Sequence, residues 1–176
     1  LFFTDPARVP DPEAVAERLP AGAGIVYRPF VAPDAIERGL RLSAIARRRG
    51  LLLLAGADPA LAQAISAGGV HLPQRLADNA ADIRRAHPSW RITAAAHDIL
   101  AVRAAQLAGV EAVVVSPIFP SNSPSAGAPL GVEGLIEITA GAALPVYALG
   151  GVNAKTADAL VGAGVYGLAG IEGFGG

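Results

Sequence analysis

Arg91-Ile92-Thr93-Ala94-Ala95-Ala96-His97 is a short, mostly apolar run that ends on a polar residue. A helical stretch over 99–108 follows it and stops at Gly109, and a second apolar run covers 112–119. Short apolar runs bounded by turn residues read as buried strands, and the amphipathic stretch between them reads as a helix. The three pieces make one parallel strand–helix–strand unit.

Outward from that unit, the same alternation fills the chain. Apolar runs lie at 1–5, 24–30, 51–56, 69–73, 91–97, 112–119, 145–151 and 166–174. Helical stretches lie between them at 12–19, 34–49, 59–67, 77–86, 99–108, 132–142 and 154–163. Asp11, Asp58 and Asn153 stand before three of these, and Gly50, Gly68, Gly109 and Gly164 stand after four, as helix starts and stops require. Eight strands with crossovers predict an α/β fold, a compact (β/α)8 TIM barrel occupying 1–176 as one domain. The repeat averages about 22 residues, short for that fold, so the eighth helix is expected to be missing or truncated. An open doubly wound sheet is the competing arrangement.

Composition narrows the function. At 52% hydrophobic and 16% charged, the chain has ample material for a core and is not a disordered segment. Fourteen basic against 15 acidic side chains give a net charge of −1, which argues against nucleic acid or an anionic membrane as partner. The absence of cysteine excludes disulfides, thiolate metal sites and thiol nucleophiles. The opening residues lack the basic start of a signal peptide, so a cytoplasmic location is expected.

A barrel gathers its chemistry at the C-terminal ends of the strands. Two glycine-rich turns lie there, Gly150-Gly151-Val152-Asn153 and Ala169-Gly170-Ile171-Glu172-Gly173. Loops after strands seven and eight commonly hold phosphate on backbone N–H groups, which makes Gly150, Gly151, Gly170 and Ile171 the candidate phosphate contacts. Glycine also serves plain turn geometry, which is the competing reading. The longest polar stretch, Pro120-Ser121-Asn122-Ser123-Pro124-Ser125-Ala126-Gly127-Ala128-Pro129, offers Ser121, Ser123 and Asn122 as neutral donors to a ligand. His97 closes the narrow alanine strand, where an imidazole can move a proton near neutral pH; the alternative is a histidine capping the next helix. His71 ends the fourth strand in the same way, whereas His87 before Pro88 reads as a surface residue. No carboxylate cluster, nucleophile elbow, phosphate-binding loop of the Walker type or zinc helix is present, so no metal ligands are assigned.

These pieces resemble the thiamine phosphate synthase/TenI superfamily of (β/α)8 barrels. Leu1-Phe2-Phe3-Thr4-Asp5 is similar to its opening strand, and Gly69-Val70-His71-Leu72-Pro73-Gln74 to its Gly-Val-His-Leu-Gly-Gln segment. Ser116-Pro117-Ile118-Phe119-Pro120-Ser121-Asn122-Ser123 resembles Gly-Pro-Ile-Phe-Pro-Thr-x-Thr, and Pro145-Val146-Tyr147-Ala148-Leu149-Gly150-Gly151-Val152 resembles Pro-Val-x-Ala-Ile-Gly-Gly-Ile. The resemblance implies a small phosphorylated ligand held by Arg28, His71, Gln74, Ser121 and Ser123, with a homodimer left open.

Within the superfamily, the synthase joins a pyrimidine diphosphate to a thiazole phosphate with Mg²⁺. Several of its working positions differ here. Of its Gln-Leu-Arg-Glu-Lys only Arg28 stands, and Ala55-Gly56 replaces Asn-Asp. Arg75-Leu76 stands where a metal-binding Asp is expected, and Pro124 replaces a lysine. The TenI branch shares Leu-Pro after strand four, as in Leu72-Pro73, and works as a thiazole tautomerase with a histidine at the end of strand five. That resemblance implies His97 as catalytic base, Arg28 as a carboxylate clamp and no cofactor. Synthase activity is the alternative and would bring Mg²⁺; a barrel that binds the phospholigand without transforming it is a third reading.

Overall fold

The structure is a computed structural model and describes residues 1–121, 123 and 127–172. Its eight strands are β1 (Phe2–Phe3), β2 (Gly24–Tyr27), β3 (Leu52–Gly56), β4 (Gly69–Leu72), β5 (Arg91–Ala96), β6 (Ala112–Val115), β7 (Val146–Ala148) and β8 (Gly167–Leu168). Each pairs in parallel with its sequence neighbours, in the order β1 to β8. A parallel bridge between Phe2 and Gly170 brings the last strand back to the first, with Phe3 N donating to Gly170 O at 2.8 Å. Sequential order and closure give the barrel and dispose of the open sheet.

Alternation along the strands sorts side chains into two layers. Phe3, Val26, Leu54, Val114 and Ala169 point into the barrel and pack with one another. Phe2, Ile25, Leu53, Val70, Ile92, Val113 and Val146 point outward, where the helices cover them. Those helices are α1 (Pro12–Ala16), α2 (Ala35–Arg49), α3 (Pro59–Ala64), α4 (Ala80–Ala86), α5 (Ile99–Leu107) and α6 (Gly131–Gly141). The caps are local: Asp11, Asp58 and Asp98 accept the amides of Ala14, Leu61 and Ala101. Gly50 ends α2 at φ +65°, a conformation that glycine adopts without strain. No helix among the described residues is long and apolar enough to cross a membrane.

Two elements differ from the sequence reading. The stretch 77–86 divides into a 3₁₀ segment, Gln74–Asn79, and α4. The stretch 154–163 forms only a 3₁₀ turn, Ala157–Leu160. Its first turn is taken over by side chains: Thr156 Oγ1 accepts Asn153 N and donates to Gly151 O, while Asn153 Oδ1 accepts Lys155 N. Such local bonds offer the backbone an alternative to the helix, and only Leu160 of the turn is buried. The strand expected over 166–174 is paired only at Gly167–Leu168 and through the bridge at Gly170, and no helix follows it among the described residues.

Candidate active site

At the C-terminal end of the barrel lies an open cavity of about 790 Å³. Its floor is Phe3, Val114 and Leu149, its walls carry Arg28, His71, His97 and Ser116, and Gly150 to Asn153 with Gly170 to Glu172 form one rim. Ala95, the inward residue of β5 below His97, leaves space that a larger side chain would fill.

Arg28 follows β2 immediately, and β1 fixes its direction. Thr4 is buried; its hydroxyl accepts Arg28 N at 2.8 Å, and its carbonyl accepts Arg28 Nε at 2.9 Å. Gly56 on the next strand leaves room for the arginine stem, since a Cβ there would lie 2.9 Å from Arg28 Cγ. The guanidinium sits 5.4 Å from the ring centres of both Phe3 and Phe30. Burial lowers its pKa, and Asp5 is the nearest carboxylate, 3.9 Å away. Nη2 is buried without a hydrogen-bond acceptor. A charged donor in that state costs free energy unless a ligand supplies the acceptor.

His71 and His97 fare differently. His71 is buried, with Nδ1 2.9 Å from Thr93 Oγ1 and its ring edge-on to Phe3 at 5.0 Å. Burial, with a smaller contribution from the positive charge of Arg28, pushes its pKa down to about 3, so it is neutral near pH 7. His97 is exposed to the cavity. Its Nδ1 lies 2.5 Å from Ser116 O, an acceptor only, so Nδ1 carries the proton and Nε2 is the basic nitrogen. The cap of α5 is Asp98, which rules out the reading of His97 as helix cap. Gln74 does not line the cavity. Its Oε1 accepts His97 N at 3.0 Å, so it positions the histidine where the sequence suggested a ligand contact.

The turn after β7 is built as closely as its glycines allow. Gly150 and Gly151 have φ of +94° and +65°, and a Cβ on Gly151 would meet Pro120 O at 2.6 Å. Phe119 N donates to Gly150 O, which ties this turn to the loop after β6. Glycine here therefore serves packing as well as any ligand. Among the described residues no acceptor takes the amides of Gly151, Val152 or Ile171. Gly170 is different from the sequence expectation, because its amide donates to Leu1 O at 3.0 Å in closing the barrel. Ser121 and Ser123 both line the cavity, with Ser123 N donating to Ser121 Oγ. Asn122, Pro124 and Gly173 lie outside the described residues.

Four further charged residues on the cavity were not singled out by sequence reasoning as ligand contacts, the helix-capping Asp58 among them. Arg8 and Glu172 form a two-pronged ion pair across the rim, at 3.2 and 2.7 Å, and the Arg8 hydrogen bond holds the Glu172 carboxyl below its ordinary pKa. Their separation of 164 residues leaves no local signal for that pair. Arg75 had a signal, its place directly after Gln74 at the end of β4.

The cavity suits Mg²⁺ poorly. No group of three or more His, Cys, Asp or Glu side chains able to hold a metal occurs among the described residues. Of the carboxylates on the cavity, Asp58 caps α3 and Glu172 is held by Arg8. Mg²⁺ is usually held through free carboxylates together with substrate phosphate.

Comparison with known proteins bears on the whole chain. A sequence model of thiamine monophosphate synthase, covering that enzyme and TenI, matches residues 1–174. A thiamine-phosphate synthase of Methylococcus capsulatus is 30% identical, over 90% of this chain and 73% of that protein. Another, from Chloroflexus aurantiacus, is 33% identical over 76% of this chain and 62% of its own length. The thiamine phosphate pyrophosphorylase of Pyrococcus furiosus superposes with a TM-score of 0.82 at 25% identity, covering 99% of this chain and 86% of that one. These names point to the synthase reaction, the alternative reading of the sequence, and none of them is a tautomerase. Barrel closure, the strand-end residues and a match running from 1 to 174 agree: the chain belongs to the thiamine monophosphate synthase family.

Proposed function

We propose that the barrel mouth binds a carboxylated thiazole phosphate and moves a proton on its ring, a tautomerase reaction ending in the aromatic thiazole. The observation that carries this reading is the state of His97, with Nδ1 bonded to Ser116 O and Nε2 left as a base on the cavity wall. Nε2 would lift a proton from one ring position and return it at another, for which a single group of suitable pKa suffices. The free amides of Gly151, Val152 and Ile171 suit a phosphate. Arg28 Nη2, buried and without an acceptor, suits the carboxylate and would neutralise it as the ring charge shifts.

The synthase reaction is the second reading, favoured by the names of the relatives. It must stabilise a departing pyrophosphate, and the carboxylates that would bring a metal to that charge are sparse or already engaged here. One assay separates the two. Purified protein is given the non-aromatic carboxythiazole phosphate and, separately, the pyrimidine diphosphate and thiazole phosphate with Mg²⁺. Appearance of the aromatic ring absorbance, lost on His97→Ala, is expected. Pyrophosphate release at an enzymatic rate in the second mixture, with no turnover in the first, overturns the proposal in favour of the synthase.

A further inference from the structure

Phe30 is strained and exposed, and packing does not account for it. Its φ is +52°, in the left-handed region where a bulky side chain is an outlier. Among the described residues Ala57 and Ser66 share that region, and local bonds account for both. Ser66 lies just past the end of α3 and its amide donates to Gln63 O, while the amide of Ala57 donates to His71 O in β4. Neither the amide nor the carbonyl of Phe30 has a hydrogen-bond partner among the described residues. Phe30 is instead the first central residue of a turn closed by Ala32 N donating to Pro29 O at 3.1 Å, a place that glycine fills without strain. At 63% exposure it gains little from burial. What the conformation secures is a position for the ring, which lines the cavity with its centre 5.4 Å from the Arg28 guanidinium carbon. Strain kept at a cavity wall with no return in packing points to a ligand contact.

We propose that Phe30 is the ring platform of the site, an aromatic face on which the flat ring of the ligand stacks, and thus the residue that selects planar over puckered rings. This rests on the reading that the cavity takes a thiazole phosphate. A heteroaromatic ring can lie offset on a phenyl face, whereas the axial hydrogens of a saturated ring hold the two apart. Arg28 lies over Phe3 at the same 5.4 Å, so one guanidinium ties the exposed ring to the buried floor. The resemblance places a lysine where Phe30 stands, and the wall here offers a π face in place of that charge. In the proposed reaction the ring flattens as it becomes aromatic, so a flat platform favours the end of that change over its start.

The test titrates the whole chain calorimetrically with 2-phenylethyl phosphate, 2-cyclohexylethyl phosphate and the aromatic thiazole phosphate. The first two share phosphate, tether and ring size and differ in flatness. Wild type should bind the phenyl probe about three- to tenfold more tightly than the cyclohexyl probe, the range that one aromatic pair supplies. Phe30→Leu keeps the apolar bulk and should erase that preference, weakening the thiazole phosphate by the same factor; Phe30→Tyr should retain both. Phe30→Gly should erase the preference without lowering the melting temperature, because glycine adopts the turn unstrained, whereas loss of a packing residue would destabilise the fold. No preference in wild type, a preference that survives Phe30→Leu, one lost equally in Phe30→Tyr, or a melting temperature lowered by Phe30→Gly overturns the proposal. Turnover of the carboxythiazole phosphate with no preference between the rings removes the platform alone. A Phe30-dependent preference without turnover removes the reaction and leaves the platform, and failure of all three probes to bind removes both.

Discussion

His71 and His97 end neighbouring strands, and what surrounds each decides what it can do. The ring of His71 is enclosed by Phe3 and Thr93, so protonation is resisted down to about pH 3. An unfolded histidine titrates near 6.5. Between those values the unfolded chain binds the extra proton, so stability from this residue is full above 6.5 and is lost as pH falls toward 3. The slope should approach about 1.4 kcal/mol per pH unit inside that window. Urea titrations across it should show a shallower acid loss for His71→Asn, and identical slopes would remove the argument. For His97 the expectation is kinetic. His97→Ala should cost about 10²–10⁴-fold in turnover with phospholigand affinity almost unchanged, whereas Arg28→Ala should mainly raise the dissociation constant. A ligand titration beside the rate assay reads both. The sequence located both histidines at the barrel mouth, because strand ends can be counted from periodicity. It could not separate a buried neutral ring from one open to the cavity, nor place Gln74 on the His97 amide, because those facts depend on contacts between strands.

At the scale of elements, punctuation in the sequence was a good guide wherever one residue acts on its own helix. Asp11 and Asp58 cap by reaching three residues ahead, and Gly50 stops α2; Asp98 caps α5 in the same way, where the sequence reading weighs His97 as the cap. Asp98→Ala should cost about 1 kcal/mol of stability, measured by denaturant melting, and leave α5 in place. The reading failed over 154–163, where Asn153 and Thr156 bond the backbone of the turn after β7 and pull the chain out of the helix. That turn decides a second prediction. Gly22 and Gly151 both have positive φ, but a Cβ on Gly22 meets nothing within 4 Å, whereas on Gly151 it meets Pro120 O and Phe119 Cβ at 2.6 and 2.7 Å. Gly22→Ala should therefore cost about 1 kcal/mol from backbone strain, and Gly151→Ala roughly 1–3 kcal/mol more from overlap. Equal losses in the two variants would mean that the loop after β6 yields freely.

Over the whole molecule the barrel is uneven. From β2 to β6 the strands run four to six residues and are backed by α2, α3, α4 and α5. The last two strands have three and two residues, followed by a 3₁₀ turn in one case and by no helix among the described residues in the other. Backbone amides of β3 to β6 should exchange with solvent most slowly, and those of 166–169 orders of magnitude faster; uniform protection would contradict this picture. Of this asymmetry the sequence reading contained only the missing eighth helix; it made the last two strands longer than they are, and the closing bridge escaped it, since a pairing between the two ends leaves no periodic trace. That bridge has a consequence in time. Every other strand pair joins sequence neighbours, so the sheet can grow by short-range steps, while joining Phe2 to Gly170 requires most of the chain to be in place already. Weakening the seam should hasten unfolding and leave the refolding rate nearly untouched. Arg8, Ile171 and Glu172 become one rim, over the Phe3 floor, only at that step. A refolding chain should thus gain its secondary structure before it can hold a ligand, and the interval between the two signals is the lifetime of the unclosed barrel.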